Sequence, residues 1–452
     1  MALLLKGGRV VDPAIEMDAV LDVLIEDGLF KEVAQAIKAP ADAKVIDCAG
    51  MIVTPGLFDL HTHLREPGQE YKETIASGTA AAAHGGFSAV AAMPNTTPII
   101  DDGAAVRFVV ERAKETAAVK VYPIGAITKG EKGESLAEMA DMKAEGALAF
   151  SDDGRGVQNP LMMRRALEYA KVVGAPLLLH EEDEALLDGG CINEGLASTR
   201  LGLPGSPGLV ESLPVARDIE IARYVGDAAL HICHVSTKES VEAIRRAKAA
   251  GLPVTAEVTA HHLLLTEDAL DASYDTNLKM NPPLRTEEDR RAVLDALLDG
   301  TIDCIATDHA PHAPQEKQLE FELAANGTVV LETTVSLVVD RLVRPGTMSW
   351  AQFVRAFARR PREILGLPII IFKPGEVAEV TVIDPQAEVE VTTEWLVGKS
   401  KNSAFLGEKL KGAAREVIVD GELVLEGGKL VGRGAAAAAT VGGSLEGGGI
   451  HD

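Results

Sequence analysis

From about residue 57 the chain alternates short apolar runs with longer stretches whose apolar positions recur every three or four residues. Runs of the first kind read as strands buried on both faces, and stretches of the second kind as helices covering them. The strand candidates, in order, are "LFDLHTHL", "FSAVAAMPN", "KVYPIGAI", "ALAFSDD", "PLLLHEED", "AALHICHVS", "PVTAEVTAHH" and "DCIATDHAP". Helical spacing is clearest over 101–117, 160–173, 237–250 and 285–299. Eight such units make a parallel (β/α)8 barrel, a TIM barrel, the simplest architecture, and they place it over 55–365. The flanks differ. Residues 1–54 and 366–433 are rich in Val, Ile and Gly with hairpin-like punctuation, and they read as two halves of one small β-sandwich-like domain that the barrel interrupts. The last stretch, 434–452, is low in complexity and reads as a disordered tail; His451 within it is given no role.

Composition narrows the functions open to such a fold. The chain has 452 residues, 46% of them hydrophobic and 25% charged, with 4% aromatic and a net charge of −24. Few aromatics and a strongly negative field argue against nucleic acid or an anionic membrane surface as partner. An anionic substrate would need a local cation to draw it in. The four cysteines, Cys48, Cys191, Cys233 and Cys304, have no paired spacing, which suits a reducing cytoplasm and excludes a disulfide framework. No apolar stretch is long enough to span a bilayer, and the opening "MALLLKGGRVVD" lacks the pattern of a signal peptide.

The polar residues then change the picture, because they fall where each strand ends. His61 and His63 close the first strand, Asn95 the second, Asp152 and Asp153 the fourth, His180 the fifth, His234 the sixth and Asp308 the eighth. In this architecture active sites lie at the C-terminal ends of the strands, so residues spread along the chain converge. His61 and His63, two apart, leave one face of their strand together. Nitrogen and carboxylate ligands without thiolate suit zinc, with manganese, cobalt or iron as substitutes. A set of His61, His63, Asp153, His180, His234 and Asp308 is too large for one open catalytic ion, and it fits two ions sharing a carboxylate and a hydroxide. His231 and His234 are three apart, so a regular strand turns only one inward; His234 is chosen and His231 left as structural. The period alone does not choose between Asp152 and Asp153. His84 reads as a helix-end residue, and one of His261 and His262 can line the site.

Eight motifs in order, "DLHTHLREPG", "MPNTTP", "FSDDG", "LLLHEED", "HICHVSTKES", "TAEVTAHHLLLT", "LKMNPPLR" and "IATDHAPH", resemble the bacterial class I dihydroorotases of the amidohydrolase superfamily, over nearly the whole chain to about residue 407. The resemblance implies reversible cyclisation of N-carbamoyl-L-aspartate to (S)-dihydroorotate and water, in pyrimidine biosynthesis. It implies two zinc ions per subunit, one of them open to being labile. His61 and His63 would bind the first, His180 and His234 the second, and Asp153 would bridge them. Asp308 would serve as first-ion ligand and as general acid/base beside a bridging hydroxide. Arg65, Asn95, Asn281, His312, Asn326 and Gly327 correspond to substrate-binding positions.

One segment departs from the family pattern. After "DHAPH" the chain reads "APQEKQLEFELAANGTVVLETT" where many relatives have "APFGIVGLET", which weakens the carry-over to Asn326 and Gly327. The stretch 312–327 reads as a mobile loop closing over substrate. Rival readings are dihydropyrimidinase (hydantoinase) or allantoinase, whose metals are usually bridged by a carboxylated lysine on the fourth strand; here that strand ends in aspartates. A scaffold without activity, partnering aspartate transcarbamoylase, would lack ligands. Association of an active enzyme with aspartate transcarbamoylase, or with further copies of itself, is left open.

Overall fold

In a computed structural model, which describes residues 2–226 and 228–442, the eight strands form one parallel sheet. They are Leu57–Thr62, Phe87–Ala92, Lys120–Gly125, Ala149–Phe150, Leu177–Leu179, Leu230–Ile232, Val254–Thr259 and Cys304–Ala306, in spatial order of sequence. The last strand returns to the first: the Asp308 N–H donates to the His61 carbonyl at 3.0 Å, and the His63 N–H to the His309 carbonyl at 3.0 Å. This nearly closed barrel is the expected architecture. Its strands are short and almost wholly buried because helices cover the outside, as apolar runs without alternation require.

The expected helices appear as Gly103–Thr116, Pro160–Val173, Lys238–Ala249 and Glu287–Asp299, each begun by a side-chain cap: Asp102, Asn159, Thr237 and Thr286. Small residues let the first barrel helix, Ile75–Gly85, lie tight against the sheet. At Gly85 an added Cβ would fall 2.1 Å from the Leu331 carbonyl oxygen.

The two ends of the chain share a second sheet of nine strands. Ile52–Pro55 lies parallel to Leu3–Asp12 on one side and antiparallel to Val380–Glu390 on the other, so N- and C-terminal segments form one surface. Its core is separate from the barrel's and includes Leu5, Val23, Phe30, Val53, Phe372 and Val380.

Part of the expected tail is ordered. Residues 434–442 belong to a helix, Gly432–Gly442, with Ala437 buried at 2% exposure. A run of alanines is low in complexity but is also the best helix-forming sequence, and here one face finds the core. Residues 443–452, with His451, lie outside the described residues. No helix among those described is long and apolar enough to cross a membrane.

Candidate active site

At the C-terminal mouth of the barrel a cavity of about 170 Å³ is walled by His63, Arg65, Asn95, Asp153, His180, His234, Asn281, Asp308, His312, Asn326 and Gly327. His61 stands behind this wall, fully buried. The strand-end residues picked from the sequence are therefore gathered in one place, and the volume suits a small ring.

Asp153 sits at the centre. Its Oδ1 is 3.3 Å from His61 Nε2, 3.7 Å from His180 Nδ1 and 3.8 Å from His234 Nε2, and its Oδ2 is 3.4 Å from His63 Nε2. Asp308 Oδ1 lies 3.1 Å from His63 Nε2 and 3.6 Å from His61 Nε2. Two groups of ligand atoms thus share one carboxylate. Asp152 faces elsewhere: it accepts from the Ile127 and Thr128 N–H groups at 2.8 and 2.9 Å and from the Thr128 hydroxyl. The structure separates the two aspartates where the strand period could not.

Several of these side chains hold unusual backbone. Arg65, His234 and Asp308 have φ of 61°, 33° and 49°, in the left-handed region that costs a non-glycine residue energy. For His234 this revises the argument from strand period. The regular strand stops at Ile232, and the turn after it brings His234 to the site although His231 also points inward. His231 Nε2 is 3.1 Å from Glu257 Oε2, and Glu257 Oε1 is 2.7 Å from His61 Nδ1.

That chain of three reveals what sequence reasoning missed. Glu257 is fully buried and accepts from His61 Nδ1, which fixes the ring and aims Nε2 at Asp153. Its signal was available: an acid in the middle of the apolar run "TAEVT". Asp59 was missed too. It accepts from the Thr307 N–H at 2.8 Å and the Thr307 hydroxyl at 2.6 Å, tying the first strand to the last beside Asp308. Of the two adjacent histidines, His261 lines the cavity, while His262 is held by Thr259 and the Pro282 carbonyl. His84 packs on Trp395, and its burial favours the neutral ring over the helix-end cation expected.

A metal fits this donor set. His61 Nε2 and Asp153 Oδ1 are buried without a hydrogen-bond partner, which an ion between them would relieve. Burial opposes ionisation of Asp153, Asp308 and Glu257, yet the surrounding histidines hold all three carboxyls below their ordinary range, Glu257 at about 2. Two buried anions and a third, half-buried one call for positive charge among them. The groups His61, Asp153, His234 and His61, His63, Asp308 each bring their donor atoms within 4.8 Å of one another.

On the substrate side, Arg65 is 8% exposed and makes no ion pair among the described residues. Glu66 pairs instead with Arg112 at 2.7 Å. The Arg65 guanidinium touches only the Pro311 carbonyl at 3.2 Å and His312 Nε2 at 3.5 Å. Asn95 is less free than its assignment to substrate implies. Its Oδ1 accepts from His63 Nδ1 at 2.9 Å and its Nδ2 donates to Asp153, so it orients two of the candidate ligands. In the segment after His312, His312 Nε2 meets the Asn326 carbonyl at 2.7 Å, and the Gly327 N–H donates to the Lys279 carbonyl at 2.8 Å.

With this geometry in view, likeness to known proteins separates family from fold. Residues 50–240 match the dihydro-orotase-like family model. Dihydroorotase of Geobacter metallireducens is 52% identical over 94% of this chain and 99% of its own, and that of Anaeromyxobacter dehalogenans is 50% identical over 94% and 98%. The chain belongs to the dihydroorotases. Solved structures similar to it include the L-hydantoinase (dihydropyrimidinase) of Arthrobacter aurescens, with TM-score 0.85 and 21% identity over 95% of this chain and 97% of that one. The dihydropyrimidinase of Brevibacillus agri gives 0.84 and 22%, over 96% and 97%. At such identity they share the barrel fold, while the dihydroorotases share the sequence.

Proposed function

We propose that this dihydroorotase interconverts N-carbamoyl-L-aspartate and (S)-dihydroorotate plus water, on a centre of two divalent ions, zinc by preference. His61, His63 and Asp308 would hold one ion, His180 and His234 the other, and Asp153 both. Ions held there supply Lewis acidity, which lowers the pKa of water and polarises a carbonyl. The chain's residues bind, orient and move protons.

One observation carries the substrate reading: a buried guanidinium, Arg65, faces the cavity with no carboxylate partner among the described residues. A buried cation left unpaired is costly, and a ligand carboxylate gripped by its planar fork removes the cost. His312, beside Arg65, stays neutral because burial and the neighbouring cations push it down to about 2, so it contributes a hydrogen bond and no charge. Asn281 and Asn326 line the cavity with amides able to meet the ring's polar edge.

In ring opening, Asp308 takes the proton of the attacking water and returns it to the departing ring nitrogen. In ring closure it takes the proton from the carbamoyl nitrogen and gives it to the leaving oxygen. Its carboxyl suits the first step because the nearby histidines keep it ionised against burial.

The fourth strand of the barrel continues into Ser151, Asp152 and Asp153, with no lysine on the cavity wall, which supports dihydroorotase over hydantoinase or allantoinase chemistry. The presence of all six ligand candidates around one cavity favours an active enzyme over a scaffold. Buried thiols at Cys48, Cys233 and Cys304 suit the cytoplasm. Association with aspartate transcarbamoylase or with further copies of this chain is compatible with this reading, and sizing the protein alone and mixed with that enzyme tests it.

The substrate reading is tested by Arg65→Gln. KM for dihydroorotate should rise about 100-fold, with zinc content unchanged. An unchanged KM would remove Arg65 from substrate binding.

A further inference from the structure

Two buried lysines near the cavity are not used by the chemistry above. Lys279 and Lys317 are each 6% exposed, and among the described residues neither has a carboxylate partner. Each ammonium group donates instead to backbone carbonyls of one loop. Lys279 Nζ reaches the Glu322 and Ala324 carbonyls, both at 2.8 Å. Lys317 Nζ reaches those of Ala325 at 2.7 Å and Gly327 at 3.0 Å. The loop thus gathered ends in Asn326 and Gly327 on the cavity wall.

Burying an ammonium group without a counter-ion is unfavourable, and it persists only where the surroundings satisfy its donors. Four carbonyls within six residues do so here. The Coulomb gain of an ion pair does not explain the arrangement, since the hydrogen-bond partners are all main-chain groups of the same short segment, whose Phe321 ring also lies 5.9 Å from Lys279 Nζ. Burial and the nearby Lys279 push Lys317 down to about 8, which matches two cations held close together. Lys279 also lies two residues before Asn281, so the clamp joins two walls of the cavity.

We propose that Lys279 and Lys317 are positioning residues, a two-cation clamp that fixes Asn326 and Gly327 in place for the substrate before it arrives. This rests on the dihydroorotase reading of the cavity. The loop is then a preformed wall.

The test compares wild type with Lys317→Met, which keeps the apolar stem and removes the donors. Wild-type turnover of dihydroorotate comes first; if it is absent the function fails and the clamp is moot. Given turnover, Lys317→Met should raise KM about tenfold while kcat changes less than about threefold and zinc content stays constant. Lys317→Arg, which keeps charge and donors, should recover most of the loss. A KM within twofold of wild type, or a loss confined to kcat, overturns the clamp. Should Lys317→Met fail to fold, amide hydrogen exchange on wild type decides. Peptides over 318–327 should be protected without ligand and little changed by it. Fast exchange that slows only on ligand addition would overturn the preformed wall and restore a closing lid.

Discussion

The two halves of the proposed metal centre are built differently. On the first, His61 is backed by Glu257 at 2.7 Å and Glu257 by His231 at 3.1 Å, all fully buried, while His63 is oriented by Asn95 at 2.9 Å. On the second, His180 Nε2 has Glu182 at 3.6 Å and Asn281 at 3.4 Å, and its Nδ1 faces His234 Nε2 at 2.9 Å. Two ring nitrogens at that distance share a hydrogen bond, which an ion held between them would replace. The first half is set in tautomer and orientation by the protein; the second is completed by what binds there. The difference teaches that affinity in such a centre would be written in the residues behind the candidate ligands, and it predicts that the tighter ion of the proposed pair would bind in the first half.

The largest effect that could break this comparison is loss of a ligand that also moves the proton. Asp308→Asn should lower kcat about 1,000-fold or more, measured on protein reloaded with zinc. Next is stepwise reconstitution of metal-free protein. Zinc should bind in two unequal stages, with activity following the second. Two indistinguishable stages would contradict the asymmetry.

Glu257→Gln sharpens it further. Its removal should weaken the tighter ion by about 10- to 100-fold, read by competition with a chelator, while Glu182→Gln should act only on the weaker ion and by a smaller factor. The smallest expected effect is that of His231→Gln, about two- to threefold on the tighter ion, because it acts through Glu257. Equal effects of Glu257→Gln and Glu182→Gln would mean that the short contact to His61 confers nothing special.

Much of this was legible in the chain because barrel strands announce themselves twice, by apolar runs and by the polar residue where each run ends. His61, His63, His180 and Asp308 followed directly. What failed was reasoning that assumed regular strand beyond the strand. His234 arrives through a left-handed turn at φ 33°, so both it and His231 point inward, which a period of two forbids. Glu257 was hidden inside an apolar run, where a partner 196 residues away, His61, gives it meaning. Lys279 and Lys317 carry no local signal, because the carbonyls they meet come from a loop whose shape is not local. The alanine-rich helix was masked by its own low complexity.

The measurement that goes straight to the central claim is hydrolysis of dihydroorotate and dihydrouracil, side by side, by zinc-reloaded protein. The two rings differ in the carboxylate that Arg65 is placed to grip. Turnover of dihydroorotate with little or none of dihydrouracil is the expected result. Turnover of dihydrouracil alone would contradict it, leaving the buried guanidinium without a purpose and moving the substrate to that of the hydantoinases whose barrel this chain shares.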